Sequence, residues 1–130
     1  MKRSPRPGLE HDLERVVTRE LSVQGLRGVP PVLATAEMIR LMEIASHLLL
    51  EPFYDEGESS VGTMVDVRHT AATPLGMRVR AHAKLVAVDG NRYHFEVASF
   101  DEKGEIGRGT HERAVIDVAR FRAGMEKKLQ

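Results

Sequence analysis

The 130-residue chain has no cysteine and no tryptophan, and its 19 basic and 19 acidic residues cancel to a formal net charge of zero. The absence of cysteine excludes disulfides, thiolate-bound metals and a cysteine nucleophile, and it fits a reducing compartment such as the cytoplasm. Because there is no excess positive charge, we expect no nucleic-acid partner. No apolar run approaches the ~18 residues that span a bilayer, so we expect no membrane partner either.

The amino-terminal segment "MKRSPRPG" is basic, but no apolar stretch follows it, so it lacks the pattern of a secretory signal. We expect residues 1–8 to form a flexible arm. The remaining length suits one compact unit, and the sequence therefore predicts a single domain over residues 9–130. A hydrophobic content of 42% is ordinary for a soluble globular protein.

Apolar residues recur at helical spacing in one segment and alternate in several others. The segment between Thr35 and Pro52 predicts an amphipathic helix, about 24 Å long if it covers residues 35–50. Strands are predicted within residues 9–21 and at residues 61–70, 77–88, 93–100 and 106–118, with a short terminal helix after them. This order predicts an α+β fold of the hotdog type, in which a curled antiparallel sheet wraps one long helix.

The predicted helix carries a second stripe beside the apolar stripe that faces its own sheet. Its members are Ala36, Ile39, Glu43 and Leu50. One sheet cannot cover both stripes, so a homodimer, or a higher assembly built from it, is the simplest arrangement that buries the second. The alternative is that Ile39 and Leu50 are isolated exposed apolar residues.

Glu43 and His69 are the leading candidates for chemistry. In a strand, alternate side chains share a face, so His69 is expected on the same side as the row formed by Val61, Thr63, Val65 and Val67. A carboxylate in apolar surroundings needs a donor or cation to stay charged, and a Glu43–His69 pair would supply a nucleophile or general base. The alternatives are a solvated glutamate and a histidine that belongs to the core.

Thr35 either caps the helix with its hydroxyl or offers that hydroxyl to a substrate carbonyl beside the free helix amides. It precedes Glu43 by eight residues, or ~12 Å along an ideal helix, so the two cannot easily reach one small group within one chain. Gly62 interrupts a strand, which often marks a bulge or a close approach to a ligand. Arg113 is either a phosphate contact or a surface charge. No pair among the six histidines has convincing metal-ligand spacing.

Three stretches, "PVLATAEMIRLMEIA", "SVGTMVDVRHTAATPLGMRV" and "EIGRGTHERAVID", resemble the hotdog-fold acyl-CoA thioesterases related to fluoroacetyl-CoA thioesterase. The resemblance runs from about residue 29 to about residue 121. It implies a homodimer with active sites at the subunit interface, which cleaves the thioester between an acyl group and coenzyme A. It implies no metal and no cofactor, since coenzyme A is part of the substrate.

The resemblance also implies roles for individual residues. The catalytic threonine, glutamate and histidine of the family fall on Thr35, Glu43 and His69. A strand glycine near the acyl pocket falls on Gly62, and an arginine associated with the site falls on Arg113. The chain departs from the fluoroacetyl-specific enzymes just before the helix, where residues 22–34 contain no aromatic side chain to cover the acyl pocket.

That departure argues against selectivity for fluoroacetyl and favours a general thioesterase for a small or medium acyl group. The alternative is a hotdog protein that binds acyl-CoA or another small ligand without catalysis. A hotdog hydratase is less favoured, because the expected aspartate–histidine pair on one loop–helix unit is missing. A purely structural dimer predicts that Glu43 is exposed and far from His69.

Overall fold

The computed structural model describes residues 1–130 and confirms the predicted α+β hotdog architecture. Strands β1 (Glu10–Val16), β2 (Glu58–His69), β3 (Arg78–Asp89), β4 (Arg92–Asp101) and β5 (Gly104–Asp117) form one antiparallel sheet. Helices α1 (Thr35–Leu50) and α2 (Val118–Lys128) complete the chain. None of the helices has the length and apolar character to cross a membrane.

The sheet has the order β1-β3-β4-β5-β2, so β2 forms one of its two edges. Helix α1 lies against the inner face and buries its Met/Leu stripe there. The core side chains that α1 contributes are Met38, Leu41, Met42, Ala45, Leu49 and Leu50. Alternate residues of β3 and β4 meet them, because successive strand side chains point to opposite faces. The core therefore lies between one helix and a sheet that curls around it.

The first strand is shorter than predicted. It ends at Val16, where the predicted strand continued to residue 21, and a 3-10 turn follows at Arg19–Leu21. The amide of Val17 donates to the carbonyl of Met77, after which the chain leaves the sheet. The sequence of this segment is typical of a strand as far as residue 21. The end of β1 is set by its pairing with β3, which the sequence does not show.

Residues 1–8, for which the sequence predicts a flexible arm, make several contacts with the rest of the protein. The amide of Lys2 donates to Asp55 over 2.9 Å, and the guanidinium of Arg3 donates to the carbonyl of Pro52 over 2.7 Å. The amide of Gly8 donates to the carbonyl of Leu85 over 2.7 Å. The arm therefore lies across the turn that follows α1 and joins the sheet beside β3.

The first half of β2 does not present the side chains that were predicted to face inward, because the strand contains a bulge. Gly62 pairs with Arg113 and Met64 pairs with Glu112, which leaves Thr63 as an extra residue between them. An extra residue reverses the alternation of side chains. Val65, Val67 and His69 therefore face α1 as predicted, but Val61 and Thr63 do not share that face. Ser60 and Gly62 face inward in their place.

The second stripe of α1 is open over only part of its length. Leu50 is wholly buried within the protomer, contrary to the prediction. The segment after the helix folds back over this end, so that the Tyr54 hydroxyl lies 3.1 Å from His47 Nδ1. Ile39 and Glu43 stay half-buried and Ala36 is exposed. This remaining part of the stripe lies beside β2, whose Met64 and Val65 are 40% and 39% exposed.

Candidate active site

Thr35 and His69 form one group of polar side chains, at the amino-terminal end of α1. The Thr35 Oγ1 atom lies 2.8 Å from His69 Nδ1. The predicted cap is wrong: Ala34 is the N-cap residue and makes no side-chain cap bond, while Thr35 is the first helical residue. Its hydroxyl is instead hydrogen-bonded to His69 at the end of β2, and this bond joins the start of the helix to the end of the strand.

The position of His69 explains why an imidazole follows a row of valines. His69 pairs with Gly107 of β5, and a β-carbon on Gly107 would lie 2.7 Å from Met38 Sδ. The lack of a side chain there lets the imidazole and the helix approach each other. His69 Nε2 is buried and has no hydrogen-bond partner within the protomer. An unpartnered buried nitrogen is costly, which makes it a candidate contact for a substrate or a second subunit.

A cavity of about 320 Å³ opens beside this pair. Apart from Thr35, His69 and Thr70, its lining is aliphatic. The aliphatic residues are Val23, Val29, Val32, Leu33, Ala71 and Ala72. A pocket with an apolar wall and a few convergent polar groups is the usual form of a small-ligand site.

Glu43 and Gly62 belong to a second group, farther along α1. A β-carbon on Gly62 would lie 2.6 Å from Glu43 Oε1, 3.2 Å from His111 Cε1 and 3.6 Å from Arg113 Nη1. The three side chains therefore converge over the bare Cα of Gly62. A cavity of about 370 Å³ opens here, lined by Glu43, Gly62, Arg113 and neighbouring residues of α1 and β2.

Arg113 is 7% exposed and is held by several bonds. Its Nε donates to Ser60 Oγ over 2.8 Å, and its Nη2 donates to the Ser60 carbonyl over 2.9 Å. Burial lowers the pKa of Arg113, and the charges of Tyr54 and Glu43 oppose that effect. The surface-charge alternative for Arg113 is therefore wrong, because the guanidinium points inward beside Glu43.

His111 is a site residue that the sequence analysis missed. Arg113 Nη1 lies 3.2 Å from His111 Nε2, and His111 Nδ1 lies 2.8 Å from the Met64 carbonyl. Since a guanidinium only donates and a carbonyl only accepts, His111 must be neutral, with its proton on Nδ1. Burial is the main cause that lowers the pKa of His111, and the charge of Arg113 adds to it. The alternation of residues 111 and 113 on β5 was the available signal.

The protomer thus divides the predicted residues between two cavities. Thr35 and His69 line the first, and Glu43, Gly62 and Arg113 line the second. Glu43 follows Thr35 by eight positions, which correspond to ~12 Å of helix. No group of three or more His, Asp or Glu side chains is arranged to hold a metal ion.

Comparisons with known proteins match this fold over most of its length. The sequence profile of the family described as fluoroacetyl-CoA-specific thioesterase (FlK) matches residues 17–119. A fluoroacetyl-CoA thioesterase from Streptantibioticus cattleyicolor is 46% identical over 99 residues, or 76% of this chain and 71% of that protein.

Solved structures agree. The fluoroacetyl-CoA thioesterase FlK superposes with a TM-score of 0.92 at 38% identity, covering 97% of this chain and 98% of that chain. A phenylalanine-to-alanine variant of FlK in complex with fluoroacetate and CoA superposes with a TM-score of 0.85 at 40% identity, covering 90% and 99%. These likenesses make the protein a hotdog-fold acyl-CoA thioesterase. Within that class, the chain belongs to the fluoroacetyl-CoA-specific thioesterase family.

Proposed function

We propose that the protein is a homodimer that hydrolyses an acyl-CoA thioester to a free acid and coenzyme A, in a site shared between subunits. Thr35 and His69 of one subunit and Glu43 of the partner subunit form this site, which needs no separate cofactor. The observation that carries the proposal is the state of the His69 imidazole. Its Nδ1 lies 2.8 Å from the Thr35 hydroxyl, and its buried Nε2 has no hydrogen-bond partner within the protomer. That nitrogen faces a group the protomer does not itself supply.

The edge strand β2 supports the dimer. It carries the exposed apolar residues Met64 and Val65 and has no neighbour on its outer side. Two copies of an edge strand pair antiparallel about a two-fold axis. Thr63 and His69 are six positions apart, so an axis at Asp66 sets the bulge at residues 62 and 63 of one strand opposite position 69 of the other. Glu43, which lies over Gly62, then approaches the partner's His69.

The chemistry follows from these positions. Glu43 attacks the thioester carbonyl as a nucleophile or removes a proton from the attacking water, and the sulfur of coenzyme A leaves. His69, oriented by Thr35 through Nδ1, polarises that water or the carboxylate with Nε2. The first amides of α1 have no intrahelical acceptor and lie beside Thr35, where they can stabilise the oxyanion together with its hydroxyl.

The aliphatic cavity beside Thr35 supports a small or medium hydrocarbon acyl group. Its walls carry no aromatic side chain and no charged side chain, apart from the imidazole of His69. Val29, one of the lining residues, is 46% exposed, so the cavity is open to solvent on that side. Burial of each additional methylene in such a cavity contributes about 0.8 kcal/mol to binding. Fluoroacetyl-CoA, the compound in the names of the relatives, is therefore one member of the substrate panel rather than its presumed optimum.

The test is a series of acyl-CoAs from acetyl and fluoroacetyl to medium-length chains, with release of free thiol as the readout. We expect turnover that rises with chain length up to an optimum. A protein that binds these compounds saturably and gains thermal stability from them, yet forms no product, is a non-catalytic binder and contradicts the proposal. Fluoroacetyl-CoA as the best substrate contradicts only the assignment of the acyl group.

A further inference from the structure

Arg113 is connected to the carboxyl-terminal end of α1 by a series of hydrogen bonds that has no part in the proposed chemistry. Its Nε donates to Ser60 Oγ over 2.8 Å. Ser60 is 6% exposed, and its own hydroxyl proton must find an acceptor inside the protein. Tyr54 Oη lies 2.6 Å from Ser60 Oγ, and His47 Nδ1 lies 3.3 Å from it. Either hydroxyl can be the donor in the Tyr54–Ser60 contact.

The series ends at His47 in either case. If Ser60 donates to Tyr54, the Tyr54 proton goes to His47 Nδ1, 3.1 Å away; if Tyr54 donates to Ser60, the Ser60 proton goes to the same nitrogen, 3.3 Å away. His47 Nε2 faces Glu51 at 3.6 Å. In both orders His47 Nδ1 is the final acceptor of a series that begins at Arg113 and includes both hydroxyls. Hydrogen bonds in such a series polarise one another, so the end of the chain influences its beginning.

We propose that Tyr54 and His47 are positioning residues of the thioesterase site, which act through Ser60 to aim the guanidinium of Arg113 at Glu43. This inference rests on the proposed function. Tyr54 lines neither of the two cavities, and His47 lines the cavity of Glu43.

The orientation of Arg113 matters because only part of its guanidinium is committed. Of its five N–H groups, one goes to Ser60 Oγ, one to the Ser60 carbonyl and one to His111. The other two are left for the cavity that contains Glu43. A buried cation is stabilised only by well-directed bonds, and removal of a support lets it turn away from its target. Ser60 supplies two of the three supports, so whatever fixes Ser60 fixes Arg113.

His47 makes this arrangement sensitive to acid. It is faced by Glu51 at the end of its own helix, by Tyr54 from the following segment, by Ser60 of β2 and by Arg113 of β5. Burial and then the charge of Arg113 lower the pKa of His47, while Glu51 opposes them. Neutral His47 accepts the last proton of the series at Nδ1. Protonated His47 carries a proton there and can no longer accept it.

The first test compares the two tyrosines of the chain. Y54F removes the hydroxyl from the series, whereas Y93F removes a buried hydroxyl that faces Ser4 in the amino-terminal arm. We expect Y54F to lower kcat by about five- to tenfold with KM nearly unchanged, since Arg113 acts on the reacting groups. Y93F should keep the wild-type kcat. Equal kcat values for the two variants overturn the inference.

Two further measurements distinguish positioning from a general loss of structure. H47N keeps an acceptor at the Nδ1 position without a titrating ring, so it should keep kcat at neutral pH and lose part of the acid-side decline. A wild-type pH profile in H47N contradicts the inference. The double variant Y54F/S60A should be no slower than S60A if Tyr54 acts through Ser60, and additive losses contradict that route. If the wild type hydrolyses no acyl-CoA, the proposed function itself fails.

Discussion

The carboxylate of Glu43 lies directly over the Cα of Gly62, with 2.6 Å between Oε1 and the place of a β-carbon on that glycine. Gly62 does not have the positive φ that favours glycine, so its backbone would accept other residues. Glycine is needed there because the carboxylate of Glu43, which comes from α1, occupies the space that a side chain at position 62 would fill.

A methyl group at Gly62 should therefore disturb the acid and spare the fold. In G62A the flexible end of Glu43 has to move, and a displacement of about 1 Å at a reacting group costs on the order of 100-fold in rate. We expect kcat to fall by about 10- to 100-fold with a nearly unchanged melting temperature. G124A is the matched control, because nothing lies within 4 Å of a β-carbon there. A G62A enzyme with full activity would remove Glu43 from the reaction.

The hydroxyl of Thr35 is expected to matter more than its shape. T35S keeps an oxygen for His69 Nδ1, whereas T35V keeps the volume and loses the bond. We expect T35S to retain most of kcat and T35V to lose about 10- to 100-fold, in line with the usual contribution of a positioned proton-transfer group. Steady-state hydrolysis of the best acyl-CoA measures both. Similar activities for the two variants would reduce Thr35 to a packing residue.

Glu43 itself is the residue whose loss should be most severe. E43Q preserves the shape of the side chain but can neither attack the thioester nor accept a proton. We expect a loss of at least ~100-fold in kcat, with binding of coenzyme A retained. E126Q, on the exposed helix α2, serves as the control. Retained kcat in E43Q would leave the thioesterase activity without its proposed acid.

A mixed dimer tests which subunit supplies each group. A dimer of one T35A chain and one E43Q chain contains one intact site and one doubly altered site if the site is shared as proposed. When equal amounts of the two inactive proteins are unfolded together and refolded, about a quarter of the wild-type activity should return, because half of the dimers are mixed. If Thr35, His69 and Glu43 of one chain act together, no activity returns.

The neutral imidazole of His111 predicts a loss of stability in acid. Burial holds the pKa of His111 below its ordinary value of 6.5, so the unfolded chain binds the proton more readily than the folded one. The stabilisation is present above pH 6.5 and is lost as the pH falls through the lowered value. Between about pH 7.5 and about pH 5.5, the free energy of unfolding should decline, and H111N should reduce that decline. H11N should leave the slope unchanged, and a wild-type slope in H111N contradicts the prediction.

The helix and most of the sheet could be predicted because their signals are local. Met38, Leu41 and Met42 follow the helical period, and the strand alternation of β3 holds as far as Leu85, after which Val86 is an extra residue before the hairpin turn. The end of β1 could not be predicted, because its stop depends on pairing with Met77, far along the chain. The burial of Leu50 likewise depends on a segment that folds back over the helix.

The site residues could be named from the sequence, but their arrangement could not. A resemblance pointed to Thr35, Glu43 and His69, yet no pattern indicates that the Thr35 hydroxyl bonds to His69 instead of capping the helix. Gly62 indicates a bulge or a close approach, and both occur there, but nothing in the sequence shows that Thr63 is the extra residue or which half of the strand changes face. The role of His111 depends on its contact with Arg113, which only the folded sheet shows.

The bulge in β2 makes the length of that strand part of the enzyme's design. Deletion of Thr63 would remove the bulge and restore regular alternation, with Ser60 and Gly62 still on the inner face. Insertion or deletion of one residue elsewhere between Gly62 and His69 would turn Ser60 and Gly62 to the opposite side, unless another bulge absorbed it. The bulge is therefore the position at which β2 can lose one residue and keep both ends of the active site on one face.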